Sequence, residues 1–325
     1  MTYSHSDRDL IRKSLSQFSF FRNFEQKMLY FKEGASKFVQ KRKCIYRLFP
    51  GLLSSDIAVL QGIAKNGKKV ALISLGCGNA DRDFELLEAS ELSNIDYYGI
   101  DSSAGMIKFG EEVFKKSKLS SHFLCQDFSS SDMKEWQEDC LSQYDRRIYA
   151  FFGNTFGNVP QSHMADLLRN MLKPGDVLWI DMAQREDTTP EGDGQLFEKY
   201  LQRLEPGQQR DFLLYPLQFI GIKEKDIELQ IEMKKESSVG ALLFNYCVAF
   251  QKKIELEVDG ELLTFLPEDV IDILQIRIYD EKKFIRFFEE HSFTYLPSGD
   301  TSSIELKDER YFIVSRRPVI KMGKN

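Results

Sequence analysis

Residues Val70-Ala71-Leu72-Ile73-Ser74-Leu75-Gly76-Cys77-Gly78-Asn79-Ala80-Asp81 decide the fold. A short, nearly continuous apolar run ends in two glycines separated by one residue. Such a run, too short for a core helix and stopped by glycine, reads as a strand buried on both faces. The glycines let the chain turn sharply and let a ligand approach the backbone closely. Asp81–Ser90 follows as a helix, with Phe84 and Leu87 at helical spacing.

The same rhythm extends outward. Ile95–Ile100 is a strand ending at Asp101, and Ala104–Lys116 is a helix. His122–Cys125 is a strand ending at Asp127, and Met133–Tyr144 is a helix. Ile148–Phe152 is a strand ending at Gly153; His163–Leu172 is a helix stopped by Lys173-Pro174-Gly175; Asp176–Ile180 leads a strand to Asp181. Strands alternating with helices predict an α/β fold, a parallel sheet with helices on both faces. The pattern then changes. Glu186–Gly194 reads as a loop, and Phe212–Ile220, Asp226–Met233, Ala241–Phe250 and Lys253–Val258 read as strands. Asp280–His291 is a helix, and Phe293–Leu296 and Arg310–Val314 are strands joined by a polar loop around Ser298–Ser303. The N-terminal segment is Phe-rich and mostly helical. The expected plan is a core of residues 57–185 plus 275–325 and a second lobe of residues 1–56 plus 186–274.

Composition bounds the class. The chain has 325 residues, 42% hydrophobic and 29% charged, which excludes disordered and collagen-like chains. Met1–Lys13 is too polar for a signal peptide, and no apolar stretch reaches the length of a membrane span. The longest, Val239–Phe250, contains Asn245 and reads as a core strand. Five scattered cysteines (Cys44, Cys77, Cys125, Cys140, Cys247) form no CxxC, so neither a disulfide framework nor a zinc site is expected. The four histidines stand far apart, which argues against a His-based metal site. A reducing cytoplasm is the expected setting. The net charge of −6 conceals an asymmetry: residues 1–69 carry 14 Lys/Arg against 5 Asp/Glu, a net of +9, and the remainder nets −15. A basic front either solubilises N-terminal helices or meets an anionic partner.

In open α/β sheets, ligands bind beyond the carboxyl ends of the strands. Asp101, followed by Ser102, ends the second strand, where a carboxylate accepts both hydroxyls of a ribose. Asp127-Phe128 ends the third, where a carboxylate beside a ring suits adenine. Together with Gly76, Cys77 and Gly78 these residues predict a bound adenosyl group. Each also has a structural reading, Asp101 as a helix cap and Asp127 as a turn residue. A dinucleotide site would continue GxGxxG, with its pyrophosphate at the helix N-terminus. Here Asn79, Ala80 and Asp81 follow. The Asp81 carboxylate would repel a pyrophosphate and suits the ammonium of a methionine tail. The fourth strand ends Phe151-Phe152-Gly153-Asn154-Thr155-Phe156-Gly157-Asn158. Its two Gly-Asn pairs put amide side chains and bare backbone at the sheet's mouth, or else form a capped polar turn.

The spacing of Gly76-Cys77-Gly78 with Asp101 and Asp127 looks like the class I methyltransferases that depend on S-adenosyl-L-methionine (SAM). Residues 151–158 resemble the histidine-specific SAM-dependent methyltransferase family, which includes the histidine Nα-methyltransferase of ergothioneine biosynthesis. Tyr30-Phe31-Lys32-Glu33-Gly34-Ala35-Ser36-Lys37-Phe38, Lys173-Pro174-Gly175-Asp176, Leu196-Phe197-Glu198-Lys199-Tyr200 and Ile231-Glu232-Met233 also look like that family's segments, in order. The resemblance implies a Rossmann-like class I methyltransferase sheet with an inserted α+β substrate-binding lobe. It implies SAM held by Gly76, Cys77, Gly78, Asp81, Asp101, Ser102, Asp127, Phe128, Gly153 and Asn154. It places Asn158 on the substrate amine as the catalytic residue, with Thr155, Tyr200 and Tyr30 as further substrate-binding residues. The sequence departs from the family at two places. A tyrosine pair falls at Leu48-Phe49, and the Glu-x-Ser that reads an imidazole falls near Ile273-Leu274-Gln275. These departures favour an amine-bearing small amino acid or related metabolite other than histidine.

Two further readings stand beside this one. The chain would bind SAM or S-adenosylhomocysteine (SAH) without catalysis, or would methylate a protein or RNA. The basic run Lys41-Arg42-Lys43-Cys44-Ile45-Tyr46-Arg47, with interleaved Tyr46 and Phe49, is the feature that would suit nucleic acid, against the plainer reading of an amphipathic helix.

Overall fold

The structure is a computed structural model that describes residues 26–39, 44–65, 67–115, 117–258, 261–298 and 309–317. Met1–Lys13 and Lys41-Arg42-Lys43 lie outside the described residues. In chain order, helices α1 (Glu33–Val39), α2 (Ile45–Leu48) and α3 (Pro50–Ile63) precede strand β1 (Val70–Leu75). There follow α4 (Asp81–Ser90), β2 (Ile95–Asp101), α5 (Ala104–Phe114), β3 (Ser121–Cys125), α6 (Asp132–Leu141) and β4 (Arg146–Phe151). Next come α7 (Gln161–Met171), β5 (Val177–Ala183), α8 (Pro190–Leu201) and α9 (Gln208–Phe219). Strands β6 (Ile227–Glu236), β7 (Ala241–Phe250), β8 (Ile254–Val258), β9 (Glu261–Phe265) and β10 (Val270–Tyr279) lead to α10 (Glu281–Glu290), β11 (Thr294–Tyr295) and β12 (Tyr311–Arg317).

The chain divides into two compact units. One comprises residues 44–186, 236–241 and 278–317; the other comprises residues 26–39, 187–235 and 242–277. The first unit is built on a seven-stranded sheet ordered β11-β12-β5-β4-β1-β2-β3, parallel throughout. All six residues of β1 are buried, as expected of a parallel strand covered on both faces. Period-two alternation then divides the core. Ala71, Ile73, Leu75, Ile100, Phe151 and Ile180 pack with Phe284 and Phe288 of α10 in one cluster. Val70, Leu72, Tyr97, Ile148 and Trp179 pack with Leu60 and Ile63 of α3 in another. The strand order turns back between β1 and β4, which pair in register from Val70↔Arg146 to Ser74↔Ala150. That reversal is where an open α/β sheet leaves a crevice at its carboxyl edge.

The second unit has a three-stranded sheet ordered β10-β7-β6 and an antiparallel hairpin, β8-β9. Every residue of β7 is buried, and Phe250 stacks on Phe265 at 4.3 Å.

Two expectations about this region are corrected. Glu186–Gly194 is not all loop: Pro190 starts α8, and the Thr189 hydroxyl caps it by accepting from Gly192 N at 3.1 Å. Proline is preorganised for that first helical position. Phe212–Ile220 is helical rather than a strand, because Phe212–Leu217 are all buried and the apolar run carries no period that would separate the two forms. Strands β9 and β10 add two elements that the sequence reading did not assign.

Candidate functional site

The first two strand ends of the core unit meet through backbone groups. Gly76 and Gly78 have φ of +69° and +58°, the left-handed region that favours glycine. Gly76 N and Cys77 N both donate to Ile100 O, at 2.8 and 3.0 Å. At the end of β2, Asp101 Oδ2 accepts from Gly78 N at 2.9 Å and Oδ1 from Ser103 N at 2.8 Å. Burial raises the Asp101 pKa, while these two N–H donors oppose the rise. The Cys77 thiol is pushed up by burial and by the Asp101 carboxylate. Asp81 opens α4 and accepts from Asn79 Nδ2 at 2.5 Å; burial raises its pKa and the Asn79 bond works against that. Ser102 is exposed, and its carbonyl faces Cys125 Sγ at 3.8 Å.

At the end of β3, Asp127 Oδ1 accepts from Ser129 N at 2.9 Å and from Ser129 Oγ at 2.6 Å. The Phe128 ring meets Phe151 edge-on at 5.5 Å. Beyond β4, Gly153 and Asn154 both take positive φ, +70° and +73°, and residues Thr155–Asn158 form one 3-10 turn. Phe156 anchors that turn in the core against Phe151, Phe284 and Phe288 at 5.4–5.8 Å. Asn154 is buried, and a Cβ on Gly157 would lie 2.6 Å from its Nδ2, so the second glycine is fixed by the first asparagine. Asn154 Oδ1 is buried without a hydrogen-bond partner among the described residues. Asn158 ends the turn and is half-buried.

Thr155, expected on the substrate, also links two strand ends. Its Oγ1 lies 2.9 Å from Phe152 O and 3.2 Å from Gly76 O, so it braces one strand end against the other. Tyr30 and Tyr200 belong to the second unit. Tyr30 packs against Phe38 at 5.0 Å and Phe212 at 5.6 Å. Tyr200 is buried, stacked on Phe244 at 4.2 Å with the Arg203 guanidinium 4.0 Å from its ring centre.

The sequence profile of the family described as "Histidine-specific methyltransferase, SAM-dependent" matches residues 8–189, more than half of the chain. The chain belongs to that family. No curated protein matches the sequence. Among solved structures, an S-adenosylmethionine-dependent methyltransferase from Clostridium acetobutylicum ATCC 824 is 14% identical, over 73% of this chain and 78% of that one, with a TM-score of 0.36. The plantazolicin methyltransferase BpumL, in complex with SAH, is 19% identical, over 69% of this chain and 84% of that one, with a TM-score of 0.33.

This SAM-dependent methyltransferase has a carboxyl edge that fits its cofactor. A Cβ placed on Gly78 would meet no heavy atom within 4 Å, so the turn opens onto free space. Each Asp101 oxygen holds one backbone N–H, and a carboxylate oxygen has two acceptor directions. One acceptor direction per oxygen therefore remains for two hydroxyl donors. Among the described residues no helix is long and apolar enough to cross a membrane, and no group of three or more His, Cys, Asp or Glu is arranged to hold a metal ion.

The sequence reading missed a buried charge network in the same unit of the methyltransferase. Arg82 pairs with Asp181, and its Nη2 donates to Asp56 Oδ2 at 2.8 Å. Asp56 also accepts from Tyr46 OH at 2.7 Å and from Ser315 Oγ at 2.6 Å. The guanidinium lies 4.6 Å from the Phe152 ring centre and 5.1 Å from that of Tyr46. Burial works against the Arg82 charge, and Asp181, Tyr46 and Asp56 outweigh it, so the group stays protonated. Tyr46, the aromatic of the basic run, is only 2% exposed and is committed to this network rather than to a surface. The sequence signal was an aspartate, Asp181, read as ending an apolar strand that in fact continues through Met182 and Ala183.

Proposed function

We propose that the methyltransferase transfers the methyl group of SAM to the amine nitrogen of a small amino acid or related metabolite. The observation that carries this reading is the Gly153–Asn158 turn at the reversal of strand order, tied to the Gly76 turn through Thr155. When bound, SAM supplies a sulfonium-activated methyl group for in-line displacement. The protein's task is alignment and exclusion of water, which together supply most of the acceleration for two bound reactants. An α-amine has a pKa of about 7.7–8.0, so its neutral form exists near pH 7 without a strong base. Asn158 orients that amine by hydrogen bonding. Gly76, Cys77, Gly78, Asp81, Asp101, Ser102, Asp127, Phe128, Gly153 and Asn154 hold the cofactor. Tyr30, Tyr200 and Thr155 serve acceptor recognition, and Thr155 also positions the turn.

One strand, β10, bears on which amine is accepted. Where the family resemblance places an imidazole-reading Glu-x-Ser, this chain has buried Ile273 and Leu274, with Gln275 accepting from Arg277 Nη2 at 3.3 Å. That composition supports an amine other than histidine. The test is SAH release from SAM with a panel of free amino acids and biogenic amines, with histidine, a peptide mixture and RNA included. Methylation of a free amine on nitrogen is expected. Turnover confined to peptide or RNA, or SAH binding with no turnover on any acceptor, would overturn it.

A further inference from the structure

We propose that Asp181 is a positioning residue: held by Arg82, it fixes the Gly153–Asn154 turn by accepting the Gly153 N–H. Gly153 N donates to Asp181 Oδ2 at 2.9 Å, and the same oxygen receives Arg82 Nη1. One atom thus joins Gly153, the second residue after β4, to the first turn of α4. Asp181, the fifth of the seven residues of β5, is 1% exposed, and Arg82 is 7% exposed. A carboxylate buried that deeply persists only when paired and hydrogen-bonded. Arg82 supplies the pairing, and Arg317 Nε stands 3.7 Å away on β12. The turn needs such an anchor. Gly153 takes its φ of +70° freely, but it leads into Asn154 at +73°, a left-handed conformation that costs a non-glycine residue energy and persists where surrounding bonds hold it. The network contains its own control. Asp56 binds the same guanidinium from α3, yet its other partners are Tyr46 and Ser315, not the turn. Loss of either aspartate half-empties Arg82, but only loss of Asp181 frees Gly153.

The inference concerns the assigned methyltransferase and is independent of the acceptor. The experiment is native-state hydrogen exchange on the full chain, comparing Asp181→Ala with Asp56→Ala and reading the peptide spanning residues 152–158. SAH affinity is measured in parallel by calorimetry. Both variants are expected to lower the melting temperature. In Asp181→Ala, exchange at residues 152–158 is expected to rise about tenfold, the worth of one buried hydrogen bond, with SAH affinity falling to a similar extent. In Asp56→Ala both should stay within about threefold of wild type. Equal effects in the two variants, or unchanged exchange at residues 152–158 in Asp181→Ala, would overturn the proposal. Should Asp181→Ala not fold, Asp181→Asn serves instead. Its neutral oxygen accepts more weakly, so exchange there should rise by about threefold, and wild-type exchange would count against the proposal. Wild-type SAH binding reports separately on the cofactor assignment.

Discussion

The Thr155 hydroxyl lies 3.2 Å from the Gly76 carbonyl, and the Thr155 methyl occupies the space that a side chain at position 76 would need. A Cβ built on Gly76 falls 2.4 Å from Thr155 Cγ2. The glycine at the end of β1 is thus required twice, by its φ of +69° and by the threonine facing it. Gly76→Ala is expected to cost roughly 1–3 kcal/mol of stability and to weaken SAH binding at least about tenfold, from combined φ strain and overlap. Thr155→Ser removes the methyl and keeps the hydroxyl. The double variant should therefore recover part of the loss, and thermal melts with calorimetry would show it. A double variant no better than Gly76→Ala alone would mean that the overlap contributes nothing.

Asn158→Ala should abolish turnover and leave SAH affinity within about threefold, because the lost hydrogen bond serves the acceptor. Steady-state kinetics with the best amine of the panel, beside calorimetry, separates the two quantities. Substantial activity in this variant would remove Asn158 from the mechanism.

Asp101→Ala deletes the acceptor of two backbone N–H groups as well as the proposed ribose contact. SAH affinity should fall by at least about a hundredfold, as for a buried charged acceptor that is lost. The melting temperature without ligand should also drop. A ligand-free melting curve identical to wild type would show that the Gly78 and Ser103 bonds carry no stability.

Asp83, on α4, gives a pH test. Burial raises its pKa to about 6, against opposing effects of Ser74 and Arg82. Since the folded pKa exceeds the unfolded value of about 3.9, the folded state binds the proton more tightly. The associated stability is complete below about pH 4 and is lost as pH rises through about 6. Asp83→Asn, neutral at every pH, should therefore gain on wild type between pH 4 and pH 7, by up to about 3 kcal/mol. Urea unfolding of both proteins across that range measures it. A pH-independent difference would refute it.

Local pattern carried most of the core into the sequence reading. Asp101 and Asp127 were legible because each ends a short apolar strand followed by a helix. The motif at residues 151–158 was legible from its two Gly-Asn pairs, but its internal division of labour was not. Thr155 turned out to brace Gly76, a partner 79 positions away that no spacing rule connects. Arg82 was hidden for the same reason: its carboxylates lie 26 and 99 positions distant. In α9 the difficulty was energetic. A segment buried on all sides needs no polar face, so Phe212–Leu217 lacked the alternation that distinguishes helix from strand. Pro190 and Gly192, read as loop formers, are accommodated in the first turn of α8, where a missing or capped N–H costs little.

The two N–H bonds that hold Asp101 have a kinetic corollary. They set the carboxylate in place with no ligand contact, and the hydroxyls it would meet are identical in SAM and in its demethylated product. Binding energy at that end cannot favour substrate over product. Progress curves should therefore flatten as SAH accumulates and straighten when a hydrolase that destroys it is added. Assays of this protein should include one.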